Sequence, residues 1–259
     1  MSKAFDFVKG ELLLIDKPLT WTSFDVVGKI RNSLRIKKIK VGHAGTLDPL
    51  ATGLLIVCTG KLTKEVDLHM AEEKEYTGTF TLGATTPSYD LETEIDQTFE
   101  TKHITESLLL ETCQQFIGEI AQVSPSYSAL RIDGERAYHK ARRGETVNIK
   151  SRNITISEFE ITNIRMPEID FRVVCSKGTY IRSLANDYGK ALNSGAHLSA
   201  LRRTRSGAFH IADAWNLTNL IDEISIQRIN WTEKEKVNID ESFPRYIIQN
   251  KEEYKEWII

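Results

Sequence analysis

The sequence is poor in the residues that make covalent or metal cross-links. Its 259 residues include three cysteines, Cys58, Cys113 and Cys175. They lie too far apart for a disulfide framework or a zinc knuckle, and buried, reduced thiols are expected. The six histidines are scattered, with no His-x-x-x-His or His/Cys cluster, so no metal and no cofactor is expected. No apolar run approaches the ~20 residues needed to span a bilayer. The start, Met1-Ser2-Lys3-Ala4-Phe5-Asp6, has no apolar signal core, and a cytoplasmic chain with no membrane partner is the expectation. Without export, Asn153-Ile154-Thr155 and Asn216-Leu217-Thr218 carry no meaning as glycosylation sites. Internal repeats and low-complexity stretches are missing too. So is an excess of positive charge: the net charge of −2 excludes nucleic-acid binding through bulk charge.

What remains is an ordinary globular composition, 41% hydrophobic and 27% charged. The charge is unevenly spread. Lys29, Arg31, Arg35, Lys37, Lys38 and Lys40 occur with no acid between Lys29 and Lys40. Further basic clusters stand at Arg142-Arg143, Lys150 to Arg152 and Arg202-Arg203-Arg205. One such run is usually a solvated face, whereas several flanking glycine-rich segments fit a polyanion track.

The chain centres on Gly42-His43-Ala44-Gly45-Thr46-Leu47-Asp48-Pro49-Leu50-Ala51-Thr52-Gly53-Leu54-Leu55. It sets one carboxylate, Asp48, among glycines and before a proline, ahead of an apolar run to Cys58 that reads as a buried strand. Glycine permits unusual dihedrals and close approach, and Pro49 stiffens the bend. By itself this could be a structural turn with Asp48 bonding to nearby backbone N–H groups.

Before it, Glu11 to Ile15 reads as a strand ended by Asp16-Lys17-Pro18. Ser23 is the expected cap of a helix to about Arg35 with Phe24, Val27, Ile30 and Leu34 on its buried face. Thr59-Gly60-Lys61 lacks the spacing and the Ser or Thr of a P-loop. Tyr76 to Leu82 alternates as a strand. Residues 84–103 read as an exposed acidic connection, and Thr105 as the cap of a helix carrying Leu108, Leu109, Cys113, Phe116 and Ile117. The segment 124–152 mixes tyrosines with Arg131, Arg136, Lys140, Arg142 and Arg143, as an RNA-gripping loop or a plain surface hairpin would. Two strands over 154–175, a turn over Ser176 to Arg182 entering a helix that runs to about Leu192, and a strand pair from His197 to Ile211 follow. With no regular βαβ alternation, this order predicts an α+β fold: a mixed, mainly antiparallel sheet core with flanking helices.

Together, Leu13-Leu14-Ile15-Asp16-Lys17-Pro18, Gly42 to Leu55, Tyr127-Ser128-Ala129 with Gly134 and Ala137-Tyr138, Cys175 to Arg182, and Leu201-Arg202-Arg203-Thr204 resemble the TruB family, the bacterial tRNA pseudouridine-55 synthases. The resemblance runs from about Glu11 to Phe209. It implies the pseudouridine synthase fold and an isomerase that converts one uridine of the TψC arm of tRNA to pseudouridine after flipping the base. Asp48 matches the family's catalytic aspartate, Tyr76 the tyrosine against the target base, and Arg182 the arginine that pairs with the acid. Tyr180 and Leu201 match residues of the uracil pocket, and His43 one that contacts the flipped nucleotides. Lys17 and Pro18 match a motif that supports the active-site loop.

These residue types suit the chemistry. A carboxylate can attack C1′ or assist an elimination at C1′–C2′. A cation beside it should favour its charged form, and the freed uracil needs a closed slot of pyrimidine size. Residues 1–211 are expected to form the catalytic domain, and 212–259 a short, net acidic extension in place of the PUA domain many members carry. A monomer is expected. The competing reading is a tRNA-folding chaperone in which binding outweighs catalysis.

Overall fold

The computed structural model describes residues 4–132, 134–145 and 148–229. Strand β1 (Leu12–Lys17) leads to helix α1 (Ser23–Leu34), β2 (Val41–Ala44) and β3 (Ala51–Thr59). Helix α2 (Val66–Ala71) precedes β4 (Lys74–Leu82), the short pair β5 (Ala84–Thr85) and β6 (Gln97–Thr98), and helix α3 (Glu106–Gln114). Next come β7 (Gly118–Gln122), β8 (Arg131–Ile132), β9 (Glu135–Arg136), α4 (Ala137–Arg142) and the long hairpin β10 (Arg152–Arg165) and β11 (Glu168–Cys175). Helix α5 (Ile181–Ala191), β12 (Ala196–Ser206), β13 (Phe209–His210), β14 (Trp215–Asn216) and α6 (Leu217–Ile229) complete the described chain.

Among these residues ten strands form one sheet along the path β14-β1-β3-β12-β4-β11-β10-β7, with β2 on β3 and β13 on β12. The pairs β1–β14 and β3–β12 are parallel and the others antiparallel, which is the mixed, mainly antiparallel α+β sheet expected. Strand β3 lies inside the sheet with both faces covered. Leu55 and Val57 join Val26, Val27, Ile30, Leu34, Leu220 and Ile224 under α1 and α6, while Ile56 and Cys58 pack the other way with Ala44. Covering on both sides is why its sequence is an unbroken apolar run. A larger core under α3 and α5 joins Phe80, Phe159, Phe171, Leu184 and Tyr188. All three cysteines are free and buried, as expected.

Several local expectations are corrected. The cap of α1 is Thr22, reciprocally bonded with Asp25, and Ser23 is the first helical residue. The buried stripe is Ser23, Val26, Val27, Ile30 and Leu34, and Phe24 is 68% exposed. Ser23 turns inward because its hydroxyl bonds both Leu47 N and Leu47 O, so the helix is phased by a polar contact. Helix α3 is capped by Thr105 but ends at Gln114, where the chain tightens into three-residue turns, Gln115, Phe116 and Ile117 N donating to Thr112, Cys113 and Gln114 O, before Gly118 at φ +103° opens β7. That leaves Ile117 exposed. The 84–103 connection is exposed only in its second part: Ala84, Thr86, Ser88 and Asp90 are buried, with Leu198 N donating to Tyr89 O. In the 124–152 segment the Arg136 and Arg142 guanidinium groups stand 6.0 and 5.5 Å from the centre of the Tyr138 ring. Arg142 and Arg143 are paired with Glu92, Glu135 and Glu145. Of the proposed extension, α6 packs on α1, and the expectation for residues 230–259 lies outside the described residues.

Candidate active site

The Asp48 bend is a turn closed by main chain, Ala51 N donating to Asp48 O at 3.0 Å, with Pro49 in the corner. The carboxylate is therefore not spent on closing its own turn. It faces Arg182 instead, Oδ2 standing 2.9 Å from Nε. That N–H is poorly aligned as a hydrogen bond, so the contact is a close ion pair and not a locked one. Arg182 occupies the first turn of α5 and is 4% exposed. Its Nη1 donates to Tyr127 O at 2.9 Å and Ser88 O at 3.3 Å, and Asp90 Oδ2 lies 3.5 Å from Nε. The guanidinium thus bridges two carboxylates and two loops.

The loop is braced from below. Lys17 ends the inward-facing row Leu13-Ile15-Lys17 of β1, fully buried, and its ammonium donates to Pro18 O and Trp21 O at 2.9 and 2.6 Å. The turn held in this way donates Thr20 N to Pro49 O at 2.8 Å. Pairing of β3 with β12 sets Ala51 opposite Leu201 and Gly53 opposite Arg203, and pairing of β12 with β4 sets Arg203 opposite Tyr76. Gly53 has to be glycine: its φ is +101°, and a Cβ there would stand 2.3 Å from Arg203 O.

Asp48, Leu50, Ala51, Asp90, Arg182 and Leu201 line a cleft of about 20 Å³. That is room for one or two waters, so the slot is narrower than the pyrimidine-sized one expected. A larger groove of about 310 Å³ adjoins it through Ala200 and Leu201, walled by Thr52, Thr77, Thr79, Asp170 and Arg202. There Asp170 is bonded to Thr79 and Arg165, and Arg202 to Asp16, which leaves no unpaired acid or base for chemistry. The smaller cleft is the candidate site.

Of the remaining expected residues, Tyr76 is buried in the core with Leu47, Ala51 and Leu201, directly opposite Arg203 in the β12–β4 pairing. Tyr180 lies outside the cleft lining, its ring 4.8 Å from the Arg152 guanidinium and its backbone held by Gln122. His43 is half-buried on β2, its Nδ1 enclosed without a hydrogen-bond partner.

Burial raises the Asp48 carboxyl above its ordinary value, Arg182 pulls it back, and Asp90 and Glu92 push it up again. The net direction is upward although 41% of its side chain is open to the cleft. The arginine therefore opposes desolvation without overcoming it, a departure from the sequence expectation. Burial also raises the Tyr76 phenol, which stays protonated, and together with Arg203 lowers the His43 imidazole toward its neutral form.

Sequence reasoning missed Asp90, whose signal was hidden in a segment read as exposed. It also misjudged the cluster 202–205. Arg202 is bonded to Asp16 at 2.7 Å, Arg205 to Glu73 at 2.8 Å, and Arg203 is buried, so the cluster is no open phosphate track.

The TruB family pseudouridylate synthase N-terminal domain matches residues 31–181, and the tRNA pseudouridylate synthase B C-terminal domain residues 182–249. This chain belongs to the TruB family of pseudouridylate synthases. Among curated TruB relatives, the tRNA pseudouridine synthase B of Flavobacterium johnsoniae is 60% identical over 218 residues, covering 82% of this chain and 95% of that one. That of Phocaeicola vulgatus is 54% identical over 228 residues, covering 86% and 97%. A solved Cbf5-Nop10-Gar1 complex matches at TM-score 0.67 and 30% identity over 88% of this chain. An H/ACA RNP bound to a substrate RNA containing 2′-deoxyuridine matches at TM-score 0.64 and 29% identity over 90%. The chain spans 58% and 59% of the length of those two solved chains. As a TruB family pseudouridylate synthase the protein is an isomerase, and the boundary between the two family domains falls inside α5, immediately before Arg182.

Proposed function

We propose that this enzyme isomerises uridine 55 in the TψC loop of tRNA to pseudouridine, with Asp48 as the carboxylate acting at the glycosidic carbon. The single observation that carries the reading is the pairing of Asp48 with the buried Arg182 at 2.9 Å in a cleft also lined by Leu201. A carboxylate presented there can attack C1′ or assist loss of the base, while Arg182 aims it and balances its charge. Tyr76 and Leu201 form the wall and side against which the detached uracil turns, and Tyr180 and His43 stand further out, toward the flanking nucleotides. Lys17 and Pro18 support the bend.

A cleft this narrow cannot hold the base as it stands, so Leu50 and its neighbours must part as the flipped nucleotide enters. The exposed residues of 31–40, Arg31, Arg35, Lys37, Lys38 and Lys40, supply phosphate contacts. Residues 1–211 form the catalytic body and 212–259 an extension, and the enzyme acts as a cytoplasmic monomer.

The test is chemical or mass-spectrometric mapping of pseudouridine in an unmodified tRNA transcript after incubation with the protein and with Asp48→Asn. Pseudouridine at position 55, absent with the variant, is expected. Product at another position, or product from the variant, overturns the reading.

A further inference from the structure

Arg203 is the largest fully buried side chain among the described residues, 1% exposed. Its neighbours Arg202 and Arg205 each have an acid partner, and none of the ion pairs among the described residues includes Arg203. Its donors go to the catalytic loop. Nε donates to Leu54 O at 2.6 Å and Nη2 to Gly45 O at 3.1 Å, one anchor before Asp48 and one after it. Across the β12–β4 pairing Arg203 stands directly opposite Tyr76. Gly45 takes φ +92°, a backbone conformation that favours glycine, and in it turns its carbonyl to Nη2.

A buried cation without a carboxylate is costly, and an apolar side chain of similar volume would often serve stability as well or better. We propose that Arg203 is a positioning residue for the reaction, fixing the Asp48 loop against Tyr76. Arg203 and Tyr76 stand directly opposite each other on β12 and β4, so their side chains share one face of the sheet, and the guanidinium that holds the Asp48 loop also fixes that loop's distance from Tyr76. The inference rests on the proposed function, because it needs Asp48 and Tyr76 to act on the base.

The experiment is single-turnover pseudouridine formation on a tRNA transcript by wild type, Arg203→Met, Arg203→Lys, Tyr76→Phe and the double variants, with tRNA Kd and Tm measured alongside. Arg203→Met is expected to slow the chemical step by roughly 100-fold, the scale of a misplaced catalytic group, with Kd unchanged because the residue is buried. Tyr76→Phe should cost much less in the Arg203→Met background than in wild type, since both changes remove one arrangement. Arg203→Lys keeps the charge but not the fork and should recover only part of the rate. Full activity of Arg203→Met, or effects of the two substitutions that simply add, overturns the proposal. If Arg203→Met does not fold, the same cycle with Arg203→Lys decides, and additivity there overturns it. A wild-type protein that makes no pseudouridine would sink the proposed function instead.

Discussion

Asp48 carries a proton more readily in the fold than in the unfolded chain, since its folded pKa lies above the ordinary 3.8. The sign of the linkage follows: its contribution to stability is full below 3.8 and is lost as pH rises through the folded pKa. Asp48→Asn, which cannot ionise, is therefore expected to melt at or above the wild-type temperature at neutral pH while making no pseudouridine. Thermal melts across pH check the first part. If the ionised acid acts, the acid limb of the kcat profile should lie above the range of an ordinary aspartate. Arg182→Met leaves Asp48 and Asp90 facing each other without their cation, so that limb should move further up. Stability should fall by about 3–5 kcal/mol, the usual cost of removing one partner from a buried pair, read from denaturant unfolding.

At the scale of elements, the site depends on how α1, the Lys17 turn and β3 are joined to the loop. Ser23 Oγ makes two bonds to Leu47, next to Asp48. Ser23→Ala leaves both Leu47 groups unpaired and should lower stability by about 1–3 kcal/mol, with kcat falling while tRNA Kd holds. Gly53→Ala meets both a positive φ and the Arg203 backbone, and should fail to reach the wild-type fold, checked by circular dichroism and Tm. The elements were largely legible from period and caps: β3 from its apolar run, β4 from its alternation and α3 from Thr105. The phase of α1 was not. Hydrophobicity alone favours burying Phe24, whereas the structure turns the helix to bring Ser23 onto Leu47 and leaves Phe24 in water.

For the whole molecule, a net charge of −2 is reconciled with a polyanionic substrate by distribution. The basic groups of residues 35–40 are exposed, whereas Arg202 and Arg205 are paired with acids and Arg203 is buried. Charge reversal at Lys37, Lys38 and Lys40 should weaken tRNA binding and flatten its salt dependence by roughly one unit of slope for each phosphate no longer neutralised. Reversal at Arg202 and Arg205 should act mainly through stability. Filter binding across salt concentrations separates the two.

By itself the sequence determined the sheet-forming runs, the Thr105 cap of α3, the family and the loop that carries Asp48, because these rest on local period, backbone chemistry and ordered motifs. Tertiary structure decided which charges are free and which are held: Asp90 is drawn in beside Arg182, Arg203 is buried on main-chain carbonyls, and desolvation outweighs Arg182 at Asp48. Those outcomes depend on residues far apart in the chain meeting across the sheet, and the energy of a charge is set by what surrounds it in space.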